Sequence, residues 1–420
     1  MARFTRRGLL GASASAAAAA GAQAALPAGG PASAGDEAYW AAVAAQYDLS
    51  REVVQLENGN WGVMPRPVQA AYERYGRMVN RRGSYYARRE YGAAFEAVRG
   101  RIAANLGVDA GEIVLTRGAT EALLALISGY NRLQPGDAVL YADLDYDSMQ
   151  AAMRWLRERR GVDVVRLDLP EPATRANLIA AYEAALEANP RVRMMLLTQV
   201  SHRNGLHLPV AEISALARAR GVDVILDAAH AWGQVPVDLA SGDCDFVGLN
   251  GHKWIGAPIG VGVLYIRRNR IEHIDPYMGA DDYRPGDIRL RAHTGTADHA
   301  AYLAMADALD VHEAIGVSAK AARLAYLRER WMAPARAIPG LEVLTADPAL
   351  GSALGAFRLR GKTSPEDNVA LARRLLEAHG VFTVARHGLA SGSCVRATVG
   401  LFTSPTDVDR LVTALADLAA

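Results

Sequence analysis

Between residues 112 and 266, short apolar runs rich in β-branched residues alternate with amphipathic stretches of helical period. The predicted strands are, in chain order, Glu112–Leu115, Ala138–Tyr141, Val162–Leu167, Val192–Leu197, Val222–Leu226, Phe246–Leu249 and Val261–Ile266. Helices predicted between these strands include Thr120–Tyr130, Asp147–Arg159 and Val210–Arg220. The alternation predicts an α/β fold whose large domain has a mostly parallel, seven-stranded sheet covered by helices on both faces. Ligands of such sheets bind beyond the carboxyl ends of the strands, so functional residues are expected there.

The pattern changes after Thr296, where a long helical stretch begins. The segments predicted beyond it are a helix over Ala297–Ile315 and onward, strands at Leu341–Leu344, Ala356–Leu359, Phe382–Ala385 and Cys394–Thr398, and a final helix from Thr406. We therefore predict a smaller α+β domain at the C-terminus. The predicted organisation is a signal peptide and linker in 1–35, an N-terminal arm in 36–61, a large domain in 62–296, and a linking helix with the small domain in 297–420.

Charge and cysteine content exclude several classes of function. The 420 residues include 46 Lys and Arg against 45 Asp and Glu, so no overall positive field is available to hold a nucleic acid or an anionic membrane. The two cysteines, Cys244 and Cys394, provide neither a disulfide framework nor a C-x-x-C metal motif. We therefore expect no nucleic-acid partner, no membrane anchor and no bound metal.

The first residues have the layout of an export signal. Arg6 and Arg7 precede a run of small and apolar residues over 11–26, and Ala22-Gln23-Ala24 is an A-x-A site. This order predicts a twin-arginine signal peptide cleaved near Ala24, and hence a periplasmic or secreted protein. A disordered alanine-rich leader is the alternative.

Two predicted strand ends carry groups suited to opposite charges. The segment Leu115-Thr116-Arg117-Gly118-Ala119-Thr120 passes from a strand into a helix, and free backbone N–H groups at a helix start bind phosphate. Asp227 follows the buried strand Val222–Leu226, where its carboxylate needs a cation such as a protonated pyridine nitrogen. Ala229 is small enough to lie beneath a flat ring. Taken singly, these features also fit an ordinary helix cap and an acid that caps the next turn.

Two basic residues complete the set in chain order. Lys253 follows the strand Phe246–Leu249, and a lysine there can form a Schiff base with an aldehyde when burial lowers its pKa. Arg396 lies in the predicted strand Cys394–Thr398, where its guanidinium can bind a substrate carboxylate through two parallel hydrogen bonds. A surface lysine and a surface ion pair are the alternatives for each alone. Few chemistries need a phosphate turn, an acid, a lysine and an arginine in this order.

The sequence resembles the class V aminotransferase family of fold-type I enzymes that use pyridoxal 5′-phosphate (PLP). The resemblance covers residues 50–415 and rests mainly on two segments, one running from Asp227-Ala228-Ala229-His230 to Gly251-His252-Lys253 and the other from Arg396-Ala397-Thr398 to Asp407-Val408-Asp409-Arg410. It implies the PLP-dependent transferase fold, PLP as the cofactor, and a homodimer.

The resemblance also implies a role for each matching residue. Lys253 would hold PLP as a Schiff base, and Asp227 would pair with the pyridine nitrogen. His230 stands where a Gln hydrogen-bonds the ring oxygen, Tyr146 where an aromatic residue stacks on the ring, and His202 where desulfurases have an Asn near the ring. The residues expected at the phosphate are Gly118, Ala119, Thr120, Asn250 and His252, with Thr296 reaching the phosphate of the neighbouring subunit. The residues expected at the substrate are Arg396, which would bind its carboxylate, and Asn58 and Gly59 on the covering arm.

Departures from the desulfurase pattern favour the isopenicillin-N-epimerase-like branch of the family. Desulfurases carry a nucleophilic cysteine on a loop well before the late arginine, and the corresponding segment here, Arg386–Ser393, has none. Asn250 replaces a common Ser, and Tyr146 replaces a His. Persulfide chemistry is therefore not expected, although Cys394 would share a strand face with Arg396.

The first step implied by the resemblance is shared by several reactions. An amino acid or amino-acid-containing metabolite would replace Lys253 on PLP as the external aldimine, and the freed Lys253 amine would remove the Cα–H proton. Return of the proton at Cα gives epimerisation or racemisation, and its return at the cofactor carbon gives transamination. A Cys-independent β-lyase or a selenocysteine-lyase- or desulfurase-like enzyme is the alternative within enzymes. A non-catalytic PLP-fold binding protein is the alternative outside them.

Overall fold

A computed structural model of the chain describes residue 27, residues 29–345 and residues 347–419. The predicted signal sequence, with Arg6, Arg7 and the A-x-A site at 22–24, lies outside these residues. In the part described, the α-helices are α1 Glu37–Ala44, α2 Arg66–Arg89, α3 Tyr91–Leu106, α4 Ala119–Gly129, α5 Asp147–Arg160, α6 Arg175–Ala188, α7 Val210–Ala219, α8 His299–Ile315, α9 Val317–Ala335, α10 Pro365–His379 and α11 Pro405–Ala419.

The strands of the same part of the chain fall into a large sheet, a smaller sheet and one short pair. They are β1 Val54–Gln55, β2 Ile113–Thr116, β3 Ala138–Ala142, β4 Asp163–Leu167, β5 Val192–Thr198, β6 Asp223–Ala228, β7 Phe246–Asn250, β8 Gly262–Ile266, β9 Leu341–Leu344, β10 Leu354–Leu359, β11 Val381–Phe382, β12 Val384–Arg386 and β13 Cys394–Thr398.

The large sheet has the strand order β2-β8-β7-β6-β5-β3-β4, so the predicted seven-stranded sheet is confirmed. It is mostly parallel because only β8 runs against its neighbours, β2 and β7. Along β3, Val139 and Tyr141 pack into the core on one face, while Leu140 and Ala142 pack into the core on the other. Residues that are apolar at every position suit a strand covered on both faces, which explains why these runs do not alternate with polar residues.

The helices that connect the strands of this sheet begin at its carboxyl edge. Helix α4 follows β2, and α5 follows β3 after the loop that contains Tyr146. At its other end, α5 stops at Gly161, whose φ of 66° is a left-handed conformation that glycine adopts without steric cost. Because the connected strands are parallel, the starts of the helices and the loops before them lie at one edge of the sheet.

The smaller sheet, with the order β12-β13-β10-β9, is antiparallel and confirms the predicted C-terminal strands as a separate layer. The prediction of one strand over Phe382–Ala385 was wrong. The chain changes partner there, because β11 pairs in parallel with β1 of the N-terminal arm while β12 pairs with β13. The arm is tied down further by a 2.8 Å hydrogen bond from the Thr398 N–H to the Leu56 carbonyl, which sets residues 57–62 beside β13.

Within the ranges that the structure covers, no helix combines the length and the apolar character needed to cross a membrane.

Candidate active site

A cavity of about 560 Å³ lies beyond the carboxyl ends of β5, β6 and β7. Its walls also come from the start of α4, the loop before α5, the arm, and strands β12 and β13. The sequence-predicted residues that line it are Gly59, Gly118, Ala119, Thr120, Tyr146, His202, Asp227, Ala229, His230, Asn250, His252, Lys253 and Arg396. Two predicted residues do not line it. Asn58 is buried at a small neighbouring cavity, and Thr296 is exposed, so its role in a neighbouring subunit stays a prediction.

Lys253 extends its amine toward a buried imidazole. Its Nζ lies 2.8 Å from Nε2 of His230, whose Nδ1 is 3.4 Å from the indole N–H of Trp254. An indole can only donate, so Nδ1 accepts and the proton of the neutral imidazole sits on Nε2. Burial holds the pKa of His230 well below its usual value and lowers that of Lys253 to about 8. The Nε2–H can therefore donate to the lone pair of a neutral Lys253 amine, which is the form that attacks a carbonyl.

Asp227 gives the same cavity a buried carboxylate. It ends the apolar part of β6, is 4% exposed, and accepts a 2.9 Å hydrogen bond from the Ala229 N–H. Burial raises the pKa of Asp227, and the positive charge of Lys253 opposes that rise. A carboxylate with so few partners in a dry site is stabilised by a cation, and a protonated ring nitrogen supplies one. The burial and charge of Asp227 therefore suit the pyridine nitrogen of PLP.

The opposite end of the cavity has the form of an anion site. The first intrahelical bond of α4 runs from Ala122 N–H to Gly118 C=O, so the N–H groups of Thr120 and Glu121 precede the helical hydrogen-bond ladder. Asn250 Oδ1 accepts the Ala119 N–H at 2.7 Å and fixes this turn to the end of β7. The Ala119 N–H and the Asn250 Oδ1 are thus already paired with each other, and the role of these two residues at the phosphate stays a prediction. A helix start of this kind suits a phosphate.

His252 borders the same turn and is neutral. Its Nδ1 is 3.0 Å from the Val261 carbonyl oxygen, which can only accept, so Nδ1 carries the proton. Burial lowers the pKa of His252 to about 4. Gly262 approaches Gly118 so closely that a Cβ on Gly262 would overlap the Gly118 backbone. The bond from His252 to Val261 and the close contact of Gly118 with Gly262 both hold the turn against the start of β8.

Two aromatic residues, Tyr146 and His202, border the cavity where the ring of PLP is expected. Tyr146 is 38% exposed and meets the His202 ring edge to face, with the centroids 5.1 Å apart. Burial lowers the pKa of His202 to about 3, so this ring is neutral. Next to Tyr146, the carboxyl of Asp145 is buried and accepts from the Thr198 hydroxyl at 2.6 Å, and burial raises its pKa to about 7. Asp145 and Thr198 were not predicted. Both lie close to the end of a strand, but neither belongs to a sequence pattern that marks it as functional.

The predicted carboxylate anchor already binds a carboxylate of the protein. Nη2 of Arg396 lies 2.6 Å from both carboxylate oxygens of Glu57, and its Nη1 donates to the His202 carbonyl. A second guanidinium, that of Arg386, lines the cavity with Nη2 3.7 Å from Glu57. Neither Glu57 nor Arg386 was predicted from the sequence as a residue of the site. The signal that could have found Glu57 is an acid in the arm that covers the site.

The two cysteines of the chain lie outside the cavity. Cys394 is buried with its thiol 3.8 Å from the Arg203 carbonyl, and burial raises its pKa to about 12. Cys244 is buried beside Ser214, with a pKa also raised to about 12. Thiols held in the protonated form are poor nucleophiles. Among the described residues there is also no group of three or more His, Cys, Asp and Glu side chains that could hold a metal ion.

A second lysine, Lys320 of α9, is buried behind the loop that carries Lys253. Its Nζ donates to the Trp254 carbonyl at 2.8 Å and lies 3.0 Å from Nδ1 of His312. Desolvation lowers the pKa of Lys320 to about 7. It does not line the main cavity but the small neighbouring one, and its bond to the Trp254 carbonyl ties α9 to the peptide after Lys253.

The sequence of the chain is similar to a known protein family and to several characterised enzymes. A family model described as Aminotransferase class-V matches residues 64–411. The isopenicillin N epimerase of Streptomyces clavuligerus is 30% identical over 388 residues, which cover 87% of this chain and 95% of the epimerase. A cysteine desulfurase of Pectobacterium atrosepticum is 27% identical over 368 residues, covering 83% of this chain and 88% of the desulfurase.

Two solved structures have a backbone fold similar to that of this chain. The cysteine desulfurase CsdA from Escherichia coli superposes with a TM-score of 0.76 at 23% identity, covering 91% of this chain and 99% of that one. A variant of C-DES with glycine covalently linked to its PLP cofactor superposes with a TM-score of 0.76 at 21% identity, covering 87% and 96%. At such identities, the likeness establishes the fold.

Proposed function

Since this chain belongs to the class-V aminotransferase family of PLP-dependent enzymes, we propose that it labilises the Cα–H bond of an amino acid or an amino-acid-containing metabolite. Epimerisation or racemisation is the proposed outcome, with transamination as the second candidate. The observation that carries the proposal is the Lys253 amine 2.8 Å from the His230 imidazole, in one cavity with the buried Asp227 carboxylate.

When bound, PLP supplies an electron sink for the charge left at Cα after the proton is removed. Asp227 would hold the ring nitrogen protonated, because its carboxylate is buried next to few other partners. The turn at Gly118 and Thr120, with His252, would hold the phosphate. Lys253 would be the residue that carries the cofactor and, once free, the one that takes the Cα proton at its Nζ. Its pKa of about 8 leaves part of the amine neutral near pH 7.

Two observations support Cα–H chemistry over sulfur transfer. Neither cysteine lines the cavity, and both thiols have pKa values raised by burial to about 12. A desulfurase needs a reactive thiolate within reach of the substrate. The 30% identity to a protein named isopenicillin N epimerase supports the same branch. A Cys-independent β-lyase remains the competing enzyme function, because elimination starts from the same proton removal.

The test is a screen of L- and D-amino acids in deuterated buffer with the purified mature protein. We expect deuterium at Cα of at least one of them and, for an epimerase, the appearance of the opposite configuration, measured by NMR and chiral chromatography. Release of pyruvate or sulfide instead would favour the β-lyase. No exchange with any amino acid or amino-acid-containing peptide would contradict the proposal.

We further propose that the enzyme works as a homodimer, with Thr296 of one subunit reaching the phosphate in the other. The exposure of Thr296 at a loop before α8 supports this role.

Export through the twin-arginine route is also proposed, on the basis of Arg6, Arg7 and the A-x-A site ending at Ala24. A reporter fused behind residues 1–35 should reach the periplasm, and the double change Arg6→Lys and Arg7→Lys should abolish its transport. Unchanged transport of the double variant would contradict this route. A variant changed at Ala32 is the matched control, since that residue lies after the predicted cleavage site.

A further inference from the structure

Arg396 is bound to other groups of the protein through both of its terminal nitrogens. Its Nη1 donates to the His202 carbonyl, and its Nη2 donates to both oxygens of Glu57. The remaining Nε is buried and has no partner within the described residues. Yet the guanidinium lines the cavity, where a ligand carboxylate would have to meet it. Either fork of the guanidinium that can bind a carboxylate through two bonds includes Nη2, so a substrate can use Arg396 as a bidentate anchor only if Glu57 leaves.

The backbone of the arm holds Glu57 in this position. Leu56 accepts the 2.8 Å hydrogen bond from Thr398, and a Cβ on Gly59 would lie 2.5 Å from Nη2 of Arg396. The arm therefore lies directly against the guanidinium, and only the side chain of Glu57 is free to move without the backbone. Its carboxylate is chemically the same group that an amino acid presents.

The guanidinium of Arg386 lies beside Glu57, within reach of its carboxylate if that carboxylate leaves Arg396. Nη2 of Arg386 is 3.7 Å from Glu57 Oε1, and its Nε is buried without a hydrogen-bond partner among the residues that the structure describes. A buried carboxylate that loses its only partner is costly, whereas one that changes partner is not. Arg386 thus makes the departure of Glu57 from Arg396 feasible.

We propose that Glu57 is a specificity-determining residue: an internal carboxylate that the substrate's α-carboxylate displaces from Arg396 and that then pairs with Arg386. The exchange replaces one charge-assisted pair with another, so it proceeds only for ligands that carry a carboxylate of their own. Amides and esters of the same amino acids cannot displace Glu57. This inference rests on the proposed function, since it names the substrate class of that same site.

The test compares two reagents that condense with the carbonyl carbon of enzyme-bound PLP. Aminooxyacetate carries a carboxylate, and O-methylhydroxylamine does not. Their second-order rate constants are measured on the holoenzyme from the change in its absorption band, for the wild type and for Glu57→Gln. The matched control is Glu342→Gln. Glu342 binds Arg358 at 2.9 and 2.6 Å, and Arg358 also donates to a backbone carbonyl, but this pair lies away from the cavity.

In Glu57→Gln, a neutral amide replaces the competing carboxylate, so aminooxyacetate should react about tenfold faster or more, while O-methylhydroxylamine reacts at an unchanged rate. Adding Arg396→Met to Glu57→Gln should remove that gain. Glu342→Gln should change neither rate. If Glu57→Gln folds poorly, Glu57→Asp should give a smaller gain with the same selectivity, because the shorter acid reaches Arg396 less well.

Equal effects on the two reagents, or no effect on either, would overturn the inference. So would a gain that survives Arg396→Met, because Arg386 would then be the anchor. Failure of the proposed function itself looks different. In that case no amino acid exchanges its Cα–H, whereas the two reagents still react with the bound PLP and still report the effect of position 57.

Discussion

Replacing Lys253 with Ala should lower the rate of Cα–H exchange by roughly 10³-fold or more, because the cofactor's covalent attachment and the proton-accepting amine are lost together. The absorption band of PLP bound to lysine should disappear at the same time. Both are measured on purified protein, by NMR of the amino acid and by the visible spectrum.

Lys362→Ala is the matched control for this variant. Lys362 is 58% exposed in its side chain and pairs with Asp367 on the surface, so its loss should leave the exchange rate and the band unchanged. A Lys253→Ala protein that kept full biological activity would favour a non-catalytic binding protein. One that kept full exchange activity would remove Lys253 from the mechanism.

Replacing Asp227 with Asn should lower the exchange rate by about 10²-fold or more, since the change leaves a buried cationic ring nitrogen without its counter-ion. Asn is close to Asp in size, and its Oδ1 can still accept the Ala229 N–H, so the loss reports charge rather than shape. The measurement is the exchange rate with a saturating amino acid, together with the amount of PLP that the variant retains.

Asp223→Asn provides the comparison for Asp227. Asp223 lies at the other end of β6, where it binds Tyr130 at 2.7 Å and pairs with Arg270. Its loss should reduce the midpoint of thermal unfolding and leave exchange intact. Equal losses of exchange in the two variants would mean that Asp227 acts only through stability.

The large sheet could be predicted because most of its strands are short, mainly apolar runs and several of them are separated by helices of clear period. Phe246–Asn250 is buried throughout, and the predicted strand Phe246–Leu249 differs from it by one residue. Parallel strands bring their carboxyl ends to one edge, so Asp227 and Lys253 meet in a single cavity although they follow different strands.

The contacts of the arm could not be predicted in the same way. Glu57 and Arg396 are separated by 339 positions in sequence, and neither lies in a segment whose period indicates a partner. The split of Phe382–Ala385 into β11 and β12 depends on the same arm, because β11 exists only as the partner of β1. Tertiary pairing of short strands leaves little trace in a local pattern.

Lys320 was missed for a different reason. It lies in helix α9, where a lysine is ordinarily solvated, and its burial depends on the docking of that helix against the Trp254 carbonyl. A sequence gives the period of a helix but not which neighbour covers a polar residue on it.

The site described here requires that one lysine, and no other, carries the cofactor. The chain has three lysines, Lys253, Lys320 and Lys362, so reduction of the holoenzyme with borohydride followed by peptide mass spectrometry gives an unambiguous answer. We expect the phosphopyridoxyl group on the peptide that contains Lys253 and on neither of the others. Its recovery on Lys320 or Lys362, or an unmodified Lys253 in protein that has bound PLP, would contradict the assignment of this cavity as the active site.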